Sequence, residues 1–164
     1  MLNDKETRFI ADDMVGKLSK WLRILGYDVV YYLSIEDKQL VSLANSERRI
    51  LLTRDTNIAE SGKVWNCMFL ESDNYMEQLR QIFRLLNLRF KEGKLFSRCL
   101  ICGEMLKEIS KEEVQGKVPP FVFDTQNKFV FCDKCNKIFW KGTHNDRVKE
   151  TLRACLLEFW DFTS

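Results

Sequence analysis

The chain has 164 residues, 45% of them hydrophobic and 12% aromatic, which suits one medium domain with a small appendage and a real core. Its 26 basic and 24 acidic residues leave +2, and cutting at residue 95 gives 15 against 14 before and 11 against 10 after, so a polybasic nucleic-acid-coating tail is excluded but a local basic face is not. No apolar run nears the roughly 18 residues of a membrane span, and the acidic, polar start does not read as a secretion signal, so a soluble cytoplasmic protein is expected.

Arg8–Ala11 is a short apolar run that stops at Asp12-Asp13. Met14, Leu18, Trp21, Leu22 and Leu25 then recur at helical spacing, and Gly26 stands where a left-handed C-terminal residue is wanted. Asp28–Tyr32 reads as a β-branched and aromatic strand. Ser34-Ile35-Glu36-Asp37 looks like a capping box that opens a second helix through about Asn45. Arg49–Thr53 is a third strand, and Val64–Leu70 a fourth. Asp73 or Asn74 starts a helix carrying Leu79, Ile82, Phe83, Leu85 and Leu86. Strands made of continuous apolar runs, alternating with helices, predict an α/β fold with a parallel sheet covered on both faces.

Open parallel sheets bind ligands beyond the carboxyl ends of their strands. That rule sorts the acidic residues. Asp12 follows the first strand, Asp55 the third, Glu71 and Asp73 the fourth, and Asp37 lies in the first turn after the second. Asp28 begins a strand and belongs to the opposite edge. Each carboxylate on the rim has an ordinary reading as a helix cap or turn former. Together they repel one another unless a cation lies between them, and hard oxygen ligands suit Mg²⁺ or Mn²⁺. Such an ion activates water and neutralises charge in phosphodiester cleavage. Thr53-Arg54-Asp55 adds a hydroxyl, a guanidinium and a carboxylate at one strand end. Lys17, Lys20 and Arg23 step along the first helix beside Trp21, either as a phosphate-tracking stripe or, more simply, as a solvated face with Trp21 in the core.

Cys99-x-x-Cys102 and Cys132-x-x-Cys135 form two matched knuckles separated by 29 residues. A two-residue gap lets both thiolates of a turn reach one tetrahedral ion, and two such turns close a structural Zn²⁺ site of the ribbon type. Strands are expected over 128–131 and 137–140. Cys67 and Cys155 read as ordinary buried thiols. His144, the only histidine, sits in a turn where Thr143 reads as a cap; beside Lys141 and Arg147 it is a candidate phosphate contact or proton donor. A helix over about 145–159 is expected to pack back on the rest of the protein.

These residues, in this order, resemble the Mut-seven C-terminal RNase family, a PIN-like nuclease domain joined to a zinc ribbon. The likeness runs through Phe9–Asp12, Gly16–Asp28, Asp37, Ile50–Asp55 and Gln78-Leu79. It continues through Ser97–Cys99, Cys102, Val118-Pro119, Cys132, Cys135 and Trp140–His144. Asp13, Val15 and Ser19 depart from the family pattern. The resemblance implies a three-layer PIN-like sandwich and a metal-dependent nuclease acting on RNA, with Asp12, Asp37 and Asp55 at the family's acidic positions.

The expected organisation is therefore a PIN-like domain over 1–95 and a zinc-ribbon module with a terminal helix over 96–164. Asp12, Asp37 and Asp55 are the expected Mg²⁺ or Mn²⁺ ligands, with Asp12 preferred over Asp13. Arg54, Lys17 and His144 are candidate substrate contacts, and the ribbon is expected to help grip or select the substrate. The rival expectation is a non-catalytic module that binds RNA or a protein, and a third is a toxin-like nuclease held by an antitoxin-like partner.

Overall fold

The four apolar runs of the first half form four parallel strands in the order β2-β1-β3-β4: β1 (Arg8–Ala11), β2 (Asp28–Tyr31), β3 (Ile50–Thr53) and β4 (Cys67–Phe69). The structure, a computed structural model, describes residues 7–142 and 144–161. Helices α1 (Gly16–Ile24), α2 (Asp37–Ser46), α3 (Thr56–Glu60) and α4 (Tyr75–Leu85) connect and cover the strands. Successive strand side chains point to opposite faces. Phe9, Ala11, Ile50 and Leu52 therefore meet Leu18 and Leu22 of α1 and Leu79, Ile82 and Phe83 of α4. Ile10 and Leu51 meet Leu40 and Ala44 of α2 and Ile58 of α3 on the other face. The result is the expected three-layer α/β sandwich.

The route of the chain fixes where the sheet opens. From β1 it steps to β2 through α1, then crosses back over β1 to β3 through α2. Crossovers of one hand running in opposite directions lie on opposite faces, so a crevice opens between the carboxyl ends of β1 and β3.

Several expected boundaries shift. The first helix is preceded by a 3-10 turn over Asp13–Val15, capped by Asp12. The box at Ser34 does not form: α2 begins at Asp37 with Glu36 as its N-cap and no side-chain cap bond, while Ser34 takes a φ of 128°. The fourth strand shrinks to Cys67–Phe69, leaving Cys67 half-buried where full burial was expected. Helix α3 is an addition, a five-residue crossover with one buried side chain, Ile58, and so almost no periodic signature.

The second half holds an antiparallel sheet β5-β6-β7, made of Lys107–Ile109, Phe129–Cys132 and Lys137–Trp140, with a short helix α5 (Pro120–Thr125) before β6. This is the ribbon, its last two strands close to where the sequence predicts them. Helix α6 (His144–Leu156) and a 3-10 turn over Leu157–Phe159 follow. The expected Thr143 cap lies outside the described residues. Leu152, Leu156 and Phe159 enter the same core as α1 and α4, where Phe159 meets Phe83 with ring centroids 5.6 Å apart. Phe90 N–H donates to Phe159 O at 2.8 Å, and Asp161 N–H donates to Phe90 O at 2.8 Å.

Arg23 is neither a phosphate contact nor a solvated side chain. It is 5% exposed, and its guanidinium donates to Val29 O from both Nε and Nη2 and to Leu100 O and Ile101 O from Nη1. It thus clamps the first cysteine knuckle to the sandwich. Gly103 permits the approach: at φ +83°, a Cβ there would meet Val29 O at 2.9 Å and Arg23 Nε at 3.1 Å. No helix among the described residues is long and apolar enough to cross a membrane.

Candidate active site and metal centre

β1 ends one residue before Asp12, and β3 ends two before Asp55, so neighbouring strands deliver both carboxylates to the crevice. Asp12 N–H donates to Leu52 O at 3.1 Å, which ties the two strand ends together. Asp12 is 5% exposed. Its Oδ1 accepts from Met14 N–H at 2.6 Å, and its Oδ2 accepts from the Thr53 hydroxyl. That hydroxyl in turn accepts from Asp55 N–H at 2.9 Å, so Thr53, wholly buried, links the Asp12 carboxylate to the Asp55 backbone. Asp55 caps α3, its Oδ1 accepting from Asn57 N–H at 2.7 Å and Ile58 N–H at 3.4 Å.

Burial raises the Asp12 carboxyl above the ordinary carboxylate range, and the like charges of Asp13 and Asp55 push the same way. The bonds from Thr53 and Met14 oppose the rise without cancelling it. Burial, aided by the charge of Asp12, also raises the nearby Cys67 thiol. Negative charge is thus crowded at this point. Next to Asp55, Arg54 Nε is sealed from solvent and has no hydrogen-bond partner among the described residues.

The other expected site residues take varied places. Asp37 is exposed in the first turn of α2. Among the described residues, no three carboxylates offer ligand atoms that all lie within 4.8 Å of one another, so Asp12, Asp37 and Asp55 do not form one tight triad. Asp13 is exposed on the 3-10 turn. Glu71 and Asp73 are exposed beyond β4, where Asn74 caps α4. Asp28 stands at the opposite edge, paired with Arg49 at 2.7 Å. Lys17 lies with its Nζ 4.1 Å from the centroid of the Tyr75 ring. That ring stacks on the half-buried Trp21 at 5.3 Å. Tyr75 escaped the sequence reading, although an aromatic directly after a capping Asn at a strand end is a signal that could have found it. His144 is exposed at the start of α6.

The four knuckle cysteines are the other centre. Their sulfurs all lie within 4.8 Å of one another, with Cys99 to Cys135 at 3.9 Å and Cys102 to Cys132 at 3.5 Å. Tetrahedral sulfur ligands at about 2.3 Å from an ion sit about 3.8 Å apart, so the cluster fits one metal such as zinc. Cys135 N–H also points at Cys132 Sγ, at 3.4 Å, as in a tight knuckle turn.

A family model described as the Mut7-C RNAse domain matches residues 7–152. No curated protein matches the chain, and no solved structure matches it.

Proposed function

The chain belongs to the Mut7-C RNAse domain family, and on that footing we propose that it is a metal-dependent ribonuclease centred on Asp12 and Asp55. Residues 1–95 supply the PIN-like nuclease, and residues 96–164 supply a ribbon held by zinc on Cys99, Cys102, Cys132 and Cys135. The reading is carried by one observation: Asp12 and Asp55 follow neighbouring strands at the crevice between β1 and β3, close enough for Asp55 to help raise the Asp12 carboxyl, which is buried at a cost to its charged form.

The donor set suits a hard divalent ion. Asp55 Oδ2 has no hydrogen-bond partner among the described residues, and every carboxylate oxygen keeps lone pairs beyond the bonds described. When bound, Mg²⁺ or Mn²⁺ supplies a water of lowered pKa and screens phosphate charge. The chain does the rest. Thr53 orients Asp12, and the α3 cap fixes Asp55. Arg54, half-buried next to Asp55, supplies a guanidinium charge for phosphate, and Lys17 places positive charge at the start of α1. Asp37, which the structure does not group with Asp12 and Asp55, is the further ligand proposed from α2, and His144 the proposed substrate contact.

Asp55→Asn tests this without dismantling the fold, because Asn caps a helix as well as Asp. The variant should fold as the wild type does and lose manganese-dependent RNA cleavage by about 10²-fold or more. Full retained cleavage would rule out the centre. A second reading, a non-catalytic RNA- or protein-binding module, draws on the capping bonds that already occupy Asp12 and Asp55. RNA retained on filters with no cleavage under any divalent ion favours it.

A further inference from the structure

A groove of about 320 Å³ runs between the ribbon and the start of α6. Its lining is largely apolar and aromatic, with Val130, Phe139 and Trp140 contributed by the ribbon strands and Phe96 and Leu100 by the segment before them. Trp140 is 37% exposed, and its indole has neither a ring partner nor a hydrogen-bond acceptor among the described residues. A tryptophan left in this state has an open face to offer.

The rim is basic. Lys128, Lys141, Lys149 and Arg98 line it against a single acid, Glu92. Glu92 is already neutralised by Lys149 at 3.0 Å and Arg153 at 3.3 Å, while Arg98 donates to Gly26 O and Gly103 O. Lys128 and Lys141 make no ion pair among the described residues. Exposed aromatic surface beside uncommitted cations in one groove complements a flat apolar base joined to an anionic backbone. The cavity is at the small end of ligand sites, sized for a ring system and not for a folded partner.

From this we infer that the groove is a nucleotide subsite for single-stranded RNA: a base stacks on Trp140, and Lys128 and Lys141 take the flanking phosphates. The inference rests on the ribonuclease reading above and extends it to a second place on the molecule. Phe96 N–H donates to Ile24 O, so the groove wall stands at the C-terminal end of α1, whereas Asp12 lies just before that helix begins. A nine-residue helix is about 13 Å long, so only RNA of several nucleotides reaches both places.

The test uses the full chain carrying Asp55→Asn, so that RNA stays intact, and a fluorescein-labelled oligouridylate read by anisotropy. Adding Trp140→Leu should weaken binding roughly five- to a hundredfold. Lys128→Ala with Lys141→Ala should flatten the dependence of log K on log salt by about 1.4, whereas Lys134→Ala, on the same ribbon but outside the groove, should leave it unchanged. Unchanged affinity and slope in the groove variants, or an equal effect of Lys134→Ala, overturns the subsite; the lysine pair keeps the test decisive if Trp140→Leu fails to fold. Cleavage separates the two readings. Carrying Trp140→Leu alone, the enzyme should have a raised KM for long RNA and an unchanged rate on a dinucleotide. A wild type that binds through the groove yet cleaves nothing with Mn²⁺ sinks the ribonuclease and spares the subsite; one that cleaves but ignores the groove variants does the reverse.

Discussion

Asp12 shows what concentrating charge costs. It binds its proton more tightly in the folded chain than in the unfolded one, because burial and two neighbouring acids disfavour the carboxylate. Its contribution is therefore fully present below the ordinary Asp range and is lost as pH rises through the raised folded value. At neutral pH the charged form is a cost to the folded state. Asp12→Asn lifts it while keeping an acceptor for Met14 N–H, and should stabilise the protein by about 1 kcal/mol, raising Tm by roughly 2–4 °C. The gain should vanish as the pH falls below the ordinary Asp range. Mn²⁺ should raise the Tm of the wild type and leave that of the variant nearly unmoved, since only an ion that binds the native state stabilises it. Calorimetry across pH with and without Mn²⁺ reads all three effects. A variant less stable than the wild type at neutral pH would mean that Asp12 is chiefly a cap.

Strands and long helices could be read from the chain because their apolar patterns are local; α3 could not, having one buried side chain in five residues. The acids at the rim were readable for a related reason, since a strand end names its own edge. Arg23 shows the opposite. Its spacing from Lys17 and Lys20 places all three on successive turns, but the knuckle that covers it lies 77 residues further on. No periodicity within α1 contains that fact. The Ser34 box failed similarly: Ser, Glu and Asp are the right residue types, but the turn at Ser34 starts the helix later than the motif requires. Arg23→Lys is the informative substitution, because it keeps a positive charge in the pocket while a single ammonium cannot serve three carbonyls in the planar pattern of guanidinium. It should lower the urea midpoint by the equivalent of about 2–3 kcal/mol with an unchanged m-value. It should also make zinc easier to remove, since Leu100 O and Ile101 O hold the knuckle in place. An unaltered midpoint would mean that water replaces the clamp.

The groove beside the ribbon had no signature in the chain, because its walls come from residues 92 to 149 and exist only once the ribbon docks. The molecule as a whole has two unequal sources of cohesion. Among the described residues, the ribbon fully buries little beyond Val114, Phe129, Cys99 and Cys132, too small a core to hold without a metal. The sandwich has its own large core, and α6 completes it with Leu152, Leu156 and Phe159. At about 1.5–3 kcal/mol for each buried side chain, those three contribute about 5–9 kcal/mol, comparable to the net stability of an ordinary domain. Two perturbations should therefore act in different places. Zinc removal under reducing conditions should free the amides of β6 and β7 to exchange quickly, while those of Phe9–Ala11 and Leu51 stay protected. Ending the chain at residue 142, with all four cysteines retained and zinc supplied, should instead collapse the protection of β1 and β3. Hydrogen exchange on both forms decides the matter. If the truncated chain keeps its central strands protected, the sandwich does not need α6; if zinc loss unfolds everything together, the ribbon and the sandwich are one cooperative unit.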